Sequence, residues 1–471
     1  MVDDPREVAD ILLRRNKEFD KSNSHGIWNT FIPNSTIAQS TTPEWKVQRR
    51  TWQDAMNPDF LRRVVAKNIY DRAIDLTRLW AVRSSRSDGR AVDVSEDFSF
   101  AALDAIWTAT FGEDLELVNS RIQILETGKR IETKGLDMHS TVQYINHLAN
   151  TWRGALWPKF SRWQLKRNPD FRRYMEMKDR EIDRILLTAS ARFQRLLDDS
   201  GTGEEHDTCA MDLVLRRNML AAKKAGREVP DPTKDAKLRD ELVLFIYAGH
   251  DTTSTTLQWF VKYITNNQEV QRKLRENLRT AFSSSSLPGV EELVSKDVPY
   301  LNATIEETLR LASTAARVNR IATVDTDILG HKIPAGTEVS PLTAVRWKPV
   351  PVSEEYRSPS SRAALEKSGG QYWTSQPSSQ DLDQFLPERW LKVDEDGHEV
   401  FNSGALPQNS FGGGTRGCFG KRLAMMELRI MITLTAMSFK FLPVPPEFNS
   451  FQANEELLRP PKQCYVRLEV A

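Results

Sequence analysis

The stretch that decides the fold is Ser410-Phe411-Gly412-Gly413-Gly414-Thr415-Arg416-Gly417-Cys418-Phe419-Gly420-Lys421-Arg422. We call it the cysteine loop. Its glycines allow positive φ angles and close approach to a bulky partner. A helical pattern follows from Leu423 to about Phe439, and the N-terminal end of a helix favours a thiolate over a thiol. The loop could therefore present a sulfur anion to a metal ion.

Two other interpretations of the cysteine loop need weighing. A single cysteine in a glycine-rich loop is often a structural residue, and the loop alone leaves that alternative open. The spacing Gly412-x-Gly414-x-x-Gly417 also matches a dinucleotide-binding fingerprint. That fingerprint requires a preceding strand and an acidic residue about 20 positions later. The preceding residues 405–409 are polar and contain a proline, and the chain ends soon afterwards. The context therefore excludes the dinucleotide interpretation.

Composition limits the class of protein. The 471 residues include 65 Lys and Arg against 64 Asp and Glu, so no positive field favours nucleic acid as a partner. The three cysteines, Cys209, Cys418 and Cys464, form no disulfide framework, which favours a reducing compartment. No stretch reaches the roughly 18 apolar residues of a membrane span. The acidic, polar residues 1–5 do not match a signal peptide.

Helical periodicity dominates the chain, and strand patterns appear mainly near its C-terminal part. The predicted helices cover residues 5–16, 58–83, 98–111, 117–134, 139–151, 169–197, 211–224, 237–267, 268–282, 289–295, 299–312 and 423–439, and a further predicted helix begins at residue 43 and contains residues 45–49. The predicted strands cover residues 320–324, 327–329, 338–341 and 464–470. Residues 353–381 are rich in Ser, Pro and Gly and indicate a surface insertion. The predicted fold class is mainly α with minor β structure.

The predicted helix 237–267 contains Ala248-Gly249-His250-Asp251-Thr252-Thr253-Ser254-Thr255-Thr256, whose glycine and threonines are poor helix formers. Ala248, Gly249 and Thr252 share a face and could leave a notch for a flat ligand or O₂. A hydroxyl and a carboxylate, those of Thr252 and Asp251, would lie beside the notch. Threonines that bond backward to helix carbonyls are the alternative. His250 could extend a proton relay, but the pattern favours a histidine on the helix surface.

The pattern Phe411-x-x-Gly414-x-Arg416-x-Cys418-x-Gly420 resembles the haem-binding signature of the cytochrome P450 family. The resemblance implies that Cys418 is the thiolate ligand of the iron in haem b. It also implies that the other residues of the signature contact the cofactor; these are Phe411, Gly414, Arg416 and Gly420. Ala248-Gly249-x-Asp251-Thr252 resembles the oxygen-activation segment of the same family. Thr252 would be the hydrogen-bond partner of the bound oxygen, and Asp251 would belong to the proton supply.

Three further segments match the family in the same order. Glu307-x-x-Arg310 and the later Pro387-Glu388-Arg389-Trp390 resemble the segments whose Glu307, Arg310 and Arg389 would form a structural triad bracing the cysteine loop. Trp45-x-x-x-Arg49 resembles the family's helix beside the haem. The resemblance implies that four side chains bind the haem propionates, because a buried carboxylate needs cationic or hydrogen-bonding partners. They are Trp45, Arg49, Arg320 and Arg416.

The resemblance covers nearly the whole chain and implies one cytochrome P450 haem domain over residues 1–471. One departure concerns the N-terminus. Eukaryotic members begin with a membrane anchor and the first strands of the larger sheet, whereas residues 4–5 here already begin the following helix. We expect an N-terminally truncated fold in which residues 320–324 are exposed. The resemblance implies the cytosolic face of the endoplasmic reticulum membrane, or a soluble cytoplasmic enzyme if the chain is complete.

The resemblance implies a fungal haem-thiolate monooxygenase of secondary metabolism. It would use O₂, and electrons from NADPH-cytochrome P450 reductase, to hydroxylate or epoxidise a lipophilic small molecule. A basic group could dock the acidic reductase, or could simply be a solvated basic rim; it consists of Lys46, Arg50, Lys421 and Arg422. One alternative is a haem-thiolate isomerase or dehydratase without external electrons, which the intact Asp251-Thr252 pair disfavours. Another is a non-catalytic haem-binding remnant.

Overall fold

A computed structural model describes residues 1–22, 26, 28–151, 158–199, 207–282, 287–345, 352–369 and 381–471. The described chain forms two compact units. Unit 1 consists of Met1–Ser22, Arg83–Ser95 and Thr252–Ala471, and unit 2 consists of Asn23–Val82 and Glu96–Asp251. The predicted insertion 353–381 lies partly outside the described residues, and both the insertion and the single haem domain stay predictions.

Seventeen helices account for most of the described residues. In chain order they are α1 Pro5–Leu13, α2 Trp28–Phe31, α3 Pro43–Thr51, α4 Pro58–Phe60, α5 Ala66–Arg86, α6 Ser95–Phe111, α7 Leu117–Thr127, α8 Lys134–Thr151, α9 Pro158–Leu165, α10 Pro169–Asp199, α11 Ala210–Lys224, α12 Ala236–Asn266, α13 Gln268–Phe282, α14 Val290–Ser295, α15 Pro299–Ala312, α16 Pro359–Lys367 and α17 Lys421–Ser438. Helix α7 ends earlier than predicted because Gly128 caps it in the left-handed conformation, at φ 68°.

Ten short strands complete the fold and lie in unit 1. They are β1 Phe19–Lys21, β2 Val92–Asp93, β3 Arg320–Ala322, β4 Thr326–Ile328, β5 His331–Ile333, β6 Glu338–Val339, β7 Leu391–Val393, β8 Glu399–Phe401, β9 Phe439–Leu442 and β10 Tyr465–Val470. Two three-stranded sheets have the orders β1-β3-β6 and β2-β10-β9, and β4-β5 and β7-β8 are hairpins. The mainly α fold with minor β structure is thus confirmed.

The expectation that residues 320–324 are exposed is wrong for the strand itself. Strand β3 pairs with β1 on one side and with β6 on the other, both antiparallel. Arg320 and Ala322 are only 5% and 2% exposed as a result, whereas Val324, beyond the strand, is 47% exposed. Helix α1 covers this sheet with Val8, Ile11 and other apolar side chains of one cluster. Strand β1 was not predicted, because three residues are too few for a periodic pattern.

Helices make up the part of unit 2 that the structure describes. Helix α10 packs against α8 and α11. The rings of Trp80 and Phe98 join α5 to α6 edge to face, with centroids 5.2 Å apart. Helix α6 is buried along most of its length. Helix α12 passes from unit 2 to unit 1 at Thr252. Among the described residues, no helix combines the length and apolar character that a membrane crossing requires.

Candidate active site

In unit 1, the cysteine loop presents an accessible thiol. Cys418 is exposed, whereas Cys209 and Cys464 are buried. The backbone N–H of Cys418 donates to the carbonyl of Phe411 at 2.8 Å, which closes the loop on itself. Helix α17 begins three residues after Cys418, so its positive N-terminal end lies near the thiol in sequence. Accessibility and the helix end both suit a thiolate ligand.

The two signature glycines of the loop serve different purposes. Gly414 has φ +62°, and a Cβ placed there would lie 2.4 Å from the backbone oxygen of Leu12 in α1. Gly414 is therefore required by the packing of the loop on α1. A Cβ on Gly420 would meet no atom within 4 Å, so the protein itself does not require glycine at this position. Open space beside Gly420 fits the close approach of a flat cofactor.

We expect Gly414→Ala to lower the free energy of unfolding. The left-handed conformation alone costs a non-glycine residue about 1–2 kcal/mol, and the clash with the Leu12 backbone adds to this cost. Urea denaturation of the two proteins measures the difference. Gly289→Ala is the matched control, because Gly289 has φ −69° and no neighbouring atom within 4 Å of its Cβ position. Equal losses in both variants would contradict the assigned role of Gly414.

The three triad residues meet in the core of unit 1. The Glu307 carboxylate accepts two hydrogen bonds from Arg310, each 2.8 Å long, and one from Nε of Arg389 at 3.0 Å. The indole N–H of Trp390 and the backbone N–H of Leu386 also donate to it, both at 2.9 Å. The side chains of Glu307, Arg310 and Arg389 are at most 3% exposed. The predicted triad is therefore a fully buried ion cluster.

Helix α15 connects this ion cluster to the cysteine loop. The hydroxyl of Ser410 donates to the carbonyl of Leu309 at 3.0 Å. The amide of Gln408, just before the loop, donates to the carboxylate of Glu306 at 2.6 Å. Both acceptors lie between or beside the triad residues on α15. The start of the loop is thus fixed to the same helix that carries Glu307 and Arg310.

Three cationic side chains gather beside the cysteine loop. The register of β1 and β3 sets Lys21 opposite Arg320. Burial depresses the pKa of the Lys21 amine well below its usual range, and the positive charges of Arg416 and Arg320 lower it further. Asp20 is the acid that opposes this effect. Three neighbouring basic side chains fit a ligand with two carboxylates, such as haem. Sequence reasoning missed Lys21, because no motif contains it.

In unit 2, Trp45 and Arg49 lie together on α3. The indole N–H of Trp45 donates to the carbonyl of Thr36 at 3.0 Å, and the Arg49 guanidinium lies 5.3 Å from the centre of the Trp45 ring. Burial raises the pKa of the neighbouring Glu241 carboxyl, and the charge of Arg49 is among the effects that oppose this rise. Trp45 therefore positions Arg49 by stacking, and its N–H already has a partner.

The small residues of α12 face different surroundings. A Cβ on Gly249 would lie 2.6 Å from the side chain of Ile106, so this glycine permits close packing of α12 on α6. Ala248 is exposed, and Asp251 and Thr252 are partly exposed. The hydroxyl of Thr256 donates back to the carbonyl of Thr252 at 2.8 Å. The predicted notch thus reduces to Ala248 and Thr252, and the backward-bonding alternative holds for Thr256.

The carboxyl of Asp251 has a pKa close to neutral pH. Burial raises the pKa of its carboxyl from 3.8 to about 7. The Asn146 amide on α8 donates to its Oδ2. Nδ1 of His250 lies 3.1 Å from its Oδ1. A carboxyl with a pKa near the working pH suits general acid–base chemistry. The sequence had favoured a surface position for His250, but the structure buries the residue completely.

The carboxyl of Glu427 on α17 is buried beside α12 in unit 1. The hydroxyl of Thr253 donates to its Oε2 at 3.1 Å, and Oε1 has no hydrogen-bond partner among the described residues. Burial raises the pKa of Glu427 from 4.5 to about 8, against the opposing effect of Thr253. The residue is therefore neutral at pH 7. Sequence reasoning missed Glu427, because one glutamate within a helical pattern carries no signal of burial.

Glu427 predicts a pH-dependent stability. Between pH 4.5 and about 8, the folded protein keeps the Glu427 proton while the unfolded chain releases it. The free energy of unfolding should therefore fall with rising pH, by up to about 1.4 kcal/mol per pH unit from this group. Glu427→Gln cannot ionise and should reduce that slope, so the variant should be relatively more stable at pH 8. Urea denaturation between pH 5 and 8.5 measures the slope. An unchanged slope, as expected for the exposed control Glu447→Gln, would contradict the prediction.

Comparison with known proteins gives one consistent result. The family model described as Cytochrome P450 matches residues 1–345 and 380–468. The chain is 32% identical to cytochrome P450 monooxygenase TRI13 of Fusarium sporotrichioides, over 99% of this chain and 84% of that protein. It is 30% identical to cytochrome P450 monooxygenase GME11363 of Pestalotiopsis microspora, over 99% of this chain and 83% of that protein.

Structural comparison supports the same conclusion. The crystal structure of the cytochrome P450DA haem domain matches with a TM-score of 0.69 at 17% sequence identity. The match covers 100% of this chain and 87% of that one. At this identity the match shows the fold, which is the predicted one. The family model and the fungal relatives show the class of enzyme as well, a haem-thiolate oxygenase. The chain is a monooxygenase that belongs to the cytochrome P450 family.

Proposed function

We propose that Cys418 binds the iron of haem b as a thiolate, and that the enzyme hydroxylates or epoxidises a lipophilic small molecule of fungal secondary metabolism. The observation that carries this proposal is the exposed Cys418 thiol in a closed loop at the start of α17. A thiolate-ligated haem supplies the activation of O₂. The side chains of this protein then have to bind the cofactor, fix its orientation and deliver protons.

The residues proposed to bind the cofactor are chosen by the positive charge of their side chains and by the open space beside them. Lys21, Arg320 and Arg416 form the cationic group of unit 1, and their mutual repulsion would be relieved by propionate carboxylates. In unit 2, Arg49 is the second source of positive charge, positioned by Trp45. Gly420 leaves open space beside the loop. Phe411, which the Lys421 amine overlies at 5.5 Å, would shield the sulfur from water.

For the reaction itself we assign two residues of α12. Asp251 would hold and release a proton, because burial brings its pKa to about 7. Thr252, partly exposed, would orient the bound oxygen through its hydroxyl. Ala248, which is exposed, would leave room for the ligands on that side of the helix, whereas Gly249 is used in the packing on Ile106. The proton supply favours an oxygen-consuming enzyme over an isomerase or dehydratase, which would need no such protons.

The electrons would come from NADPH-cytochrome P450 reductase. Each residue of the proposed docking group is exposed, as electrostatic steering of an acidic partner requires; the group consists of Lys46, Arg50, Lys421 and Arg422. From the family resemblance we also propose that the enzyme works at the cytosolic face of the endoplasmic reticulum membrane. The first test is a carbon monoxide difference spectrum of the reduced protein. Absence of the thiolate-type Soret shift would refute the assignment of Cys418.

We expect Thr252→Ala to release several times more hydrogen peroxide per NADPH oxidised than the parent enzyme. Without the hydroxyl, oxygen would leave as peroxide before its O–O bond is broken. The measurement uses purified enzyme with reductase and NADPH. Thr265→Ala on the same helix is the control, because the Thr265 hydroxyl is buried without a hydrogen-bond partner among the described residues. Equal peroxide yields in all three proteins would refute the role of Thr252.

A further inference from the structure

A polar chain runs through the interior of unit 2 from α8 to α12. Nε2 of His250 lies 3.0 Å from the hydroxyl oxygen of Ser99 on α6. The same oxygen lies 3.0 Å from Nε2 of His139 on α8. The amide of Gln143 also donates to it, at 3.3 Å. One hydroxyl therefore joins two histidine rings. Neither the oxygen-activation pattern nor the cysteine loop includes Ser99 or His139.

The chain ends at the carboxyl of Asp251. Nδ1 of His250, in a side chain with 0% exposure, lies 3.1 Å from Oδ1 of Asp251. The contact is within reach but not aligned, and Nδ1 makes no hydrogen bond among the described residues. The Asn146 amide donates to the other carboxyl oxygen, Oδ2, so Oδ1 is the oxygen that faces the ring. A buried ring nitrogen without a hydrogen-bond partner costs free energy, and a hydrogen bond to the adjacent carboxyl would remove that cost.

We propose that His139, Ser99 and His250 form a proton relay that returns a proton to Asp251 each time Asp251 gives one up. The inference rests on the proposed role of Asp251 as proton donor. His139 is partly exposed and is the member at which a proton enters. Ser99 and His250 act through Asp251 and would not touch the substrate.

The proton balance of the relay closes. A proton from water binds Nδ1 of His139, whose Nε2 proton passes to the oxygen of Ser99. The Ser99 hydroxyl proton passes to Nε2 of His250, and the Nδ1 proton of His250 passes to the Asp251 carboxylate. One proton enters and one arrives. Each member ends neutral, with the two rings in the opposite tautomer, so the tautomers must be reset before the next transfer.

The surroundings keep both rings neutral between transfers. Burial lowers the pKa of His250 to about 4. Burial, and then the charge of His250, lower the pKa of His139 to about 3. Among the described residues, the titratable groups that act on these rings are His250 for His139, and Asp251, 3.1 Å from Nδ1 of His250. The ring of Phe100 on α6 covers His139, with centroids 4.8 Å apart. A neutral imidazole has one donor and one acceptor nitrogen, which a relay requires.

The first test reads the tautomer of His250 and needs no substrate. The ¹⁵N spectrum of histidine-labelled protein is recorded on the diamagnetic carbon monoxide complex of the reduced enzyme. Below pH 7 Asp251 is protonated, so His250 should carry its proton on Nε2; above pH 7 it should carry it on Nδ1. The switch should occur near the Asp251 pKa of about 7 and vanish in Asp251→Asn. A tautomer that stays fixed from pH 5.5 to 8.5 would overturn the relay.

The second test reads proton delivery during NADPH oxidation without substrate. Reduction of O₂ to water consumes two NADPH per O₂, and reduction to peroxide consumes one. In Ser99→Ala the rate of water formation should fall by about tenfold or more. The fall should be smaller than the roughly 10²–10⁴-fold loss expected on removing a general acid itself. Its solvent isotope effect should rise. Ser99→Thr keeps a hydroxyl and should restore the rate, and Ser140→Ala, an exposed serine of α8, should not change it.

The outcomes separate the relay from the function on which it rests. If the parent enzyme lacks the thiolate-type carbon monoxide spectrum, the proposed function fails. If that spectrum is present in every variant and Ser99→Ala still forms water at the parental rate, the relay alone is wrong. If Ser99→Ala is slow, and Ser99→Thr is equally slow, the hydroxyl is not the transferring group and the relay is again wrong.

Discussion

Cys418→Ser is expected to abolish the thiolate-type Soret shift and to lower monooxygenase turnover by more than about a hundredfold. Changes outside the ligand set of a metal already cost about 10–100-fold, and this substitution removes the proposed ligand itself. A serine hydroxyl is a weaker electron donor than a thiolate, so the iron would lose the charge that favours O–O cleavage. The carbon monoxide spectrum and NADPH-dependent turnover measure the two effects.

Cys209→Ala and Cys464→Ala are the matched controls for this experiment. Both cysteines are buried, and the structure places neither in the cysteine loop. Each variant should keep the thiolate-type spectrum and lose at most modest stability through a small cavity. Retention of the thiolate spectrum in Cys418→Ser would assign the ligand to another sulfur. Loss of that spectrum in a control variant would do the same.

Glu307→Gln is expected to lower the free energy of unfolding by about 3–5 kcal/mol, because it leaves two buried guanidinium groups without their carboxylate. Arg310 and Arg389 are at most 3% exposed in their side chains, so water cannot replace the lost partner. An amide keeps the size of the side chain but offers only one acceptor oxygen for five donors. Urea denaturation measures the loss, and haem content after purification measures its effect on the cysteine loop.

Glu291→Gln on α14 is the control for the triad experiment. Glu291 is exposed, and a substitution at the surface usually changes stability by less than about 0.5 kcal/mol. A loss of similar size in both variants would show that the buried cluster adds nothing to stability. Arg310→Lys is a further variant that tests the same ion cluster. Lysine cannot offer the two parallel hydrogen bonds that Glu307 receives here, so this variant should also be destabilised.

The sequence predicted the parts of the site that have fixed local spacing. Three features can be recognised within a short stretch of sequence. They are the cysteine loop, the Glu307–Arg310 pair three residues apart on one helix, and the run of threonines in α12. The structure brings Glu307, Arg310 and Arg389 into contact, as predicted. Such spacing is readable because side chains three or four residues apart in a helix must lie on one face.

The parts of the site that the sequence did not predict depend on contacts between distant segments of the chain. Lys21 belongs to a three-residue strand whose partner lies about 300 residues later, so no local pattern could have placed it beside Arg320. The packing of Gly249 on Ile106 replaces part of the predicted notch, and only the approach of α6 reveals it. Burial of His250 and Glu427 likewise depends on neighbouring helices, which turn ordinary polar residues into neutral buried ones.

The pairing of β1 with β3 has a consequence for biosynthesis. Lys21 leaves the ribosome early, but Arg320 and Arg416 follow only after most of the chain has been made. At about 5–20 residues per second, the roughly 300 intervening residues take roughly 15–60 seconds to translate. During that interval α1 has no sheet to cover, and its apolar side is open to chaperones. The proposed capture of the cofactor by Lys21, Arg320 and Arg416 would therefore be a late event in synthesis of the polypeptide.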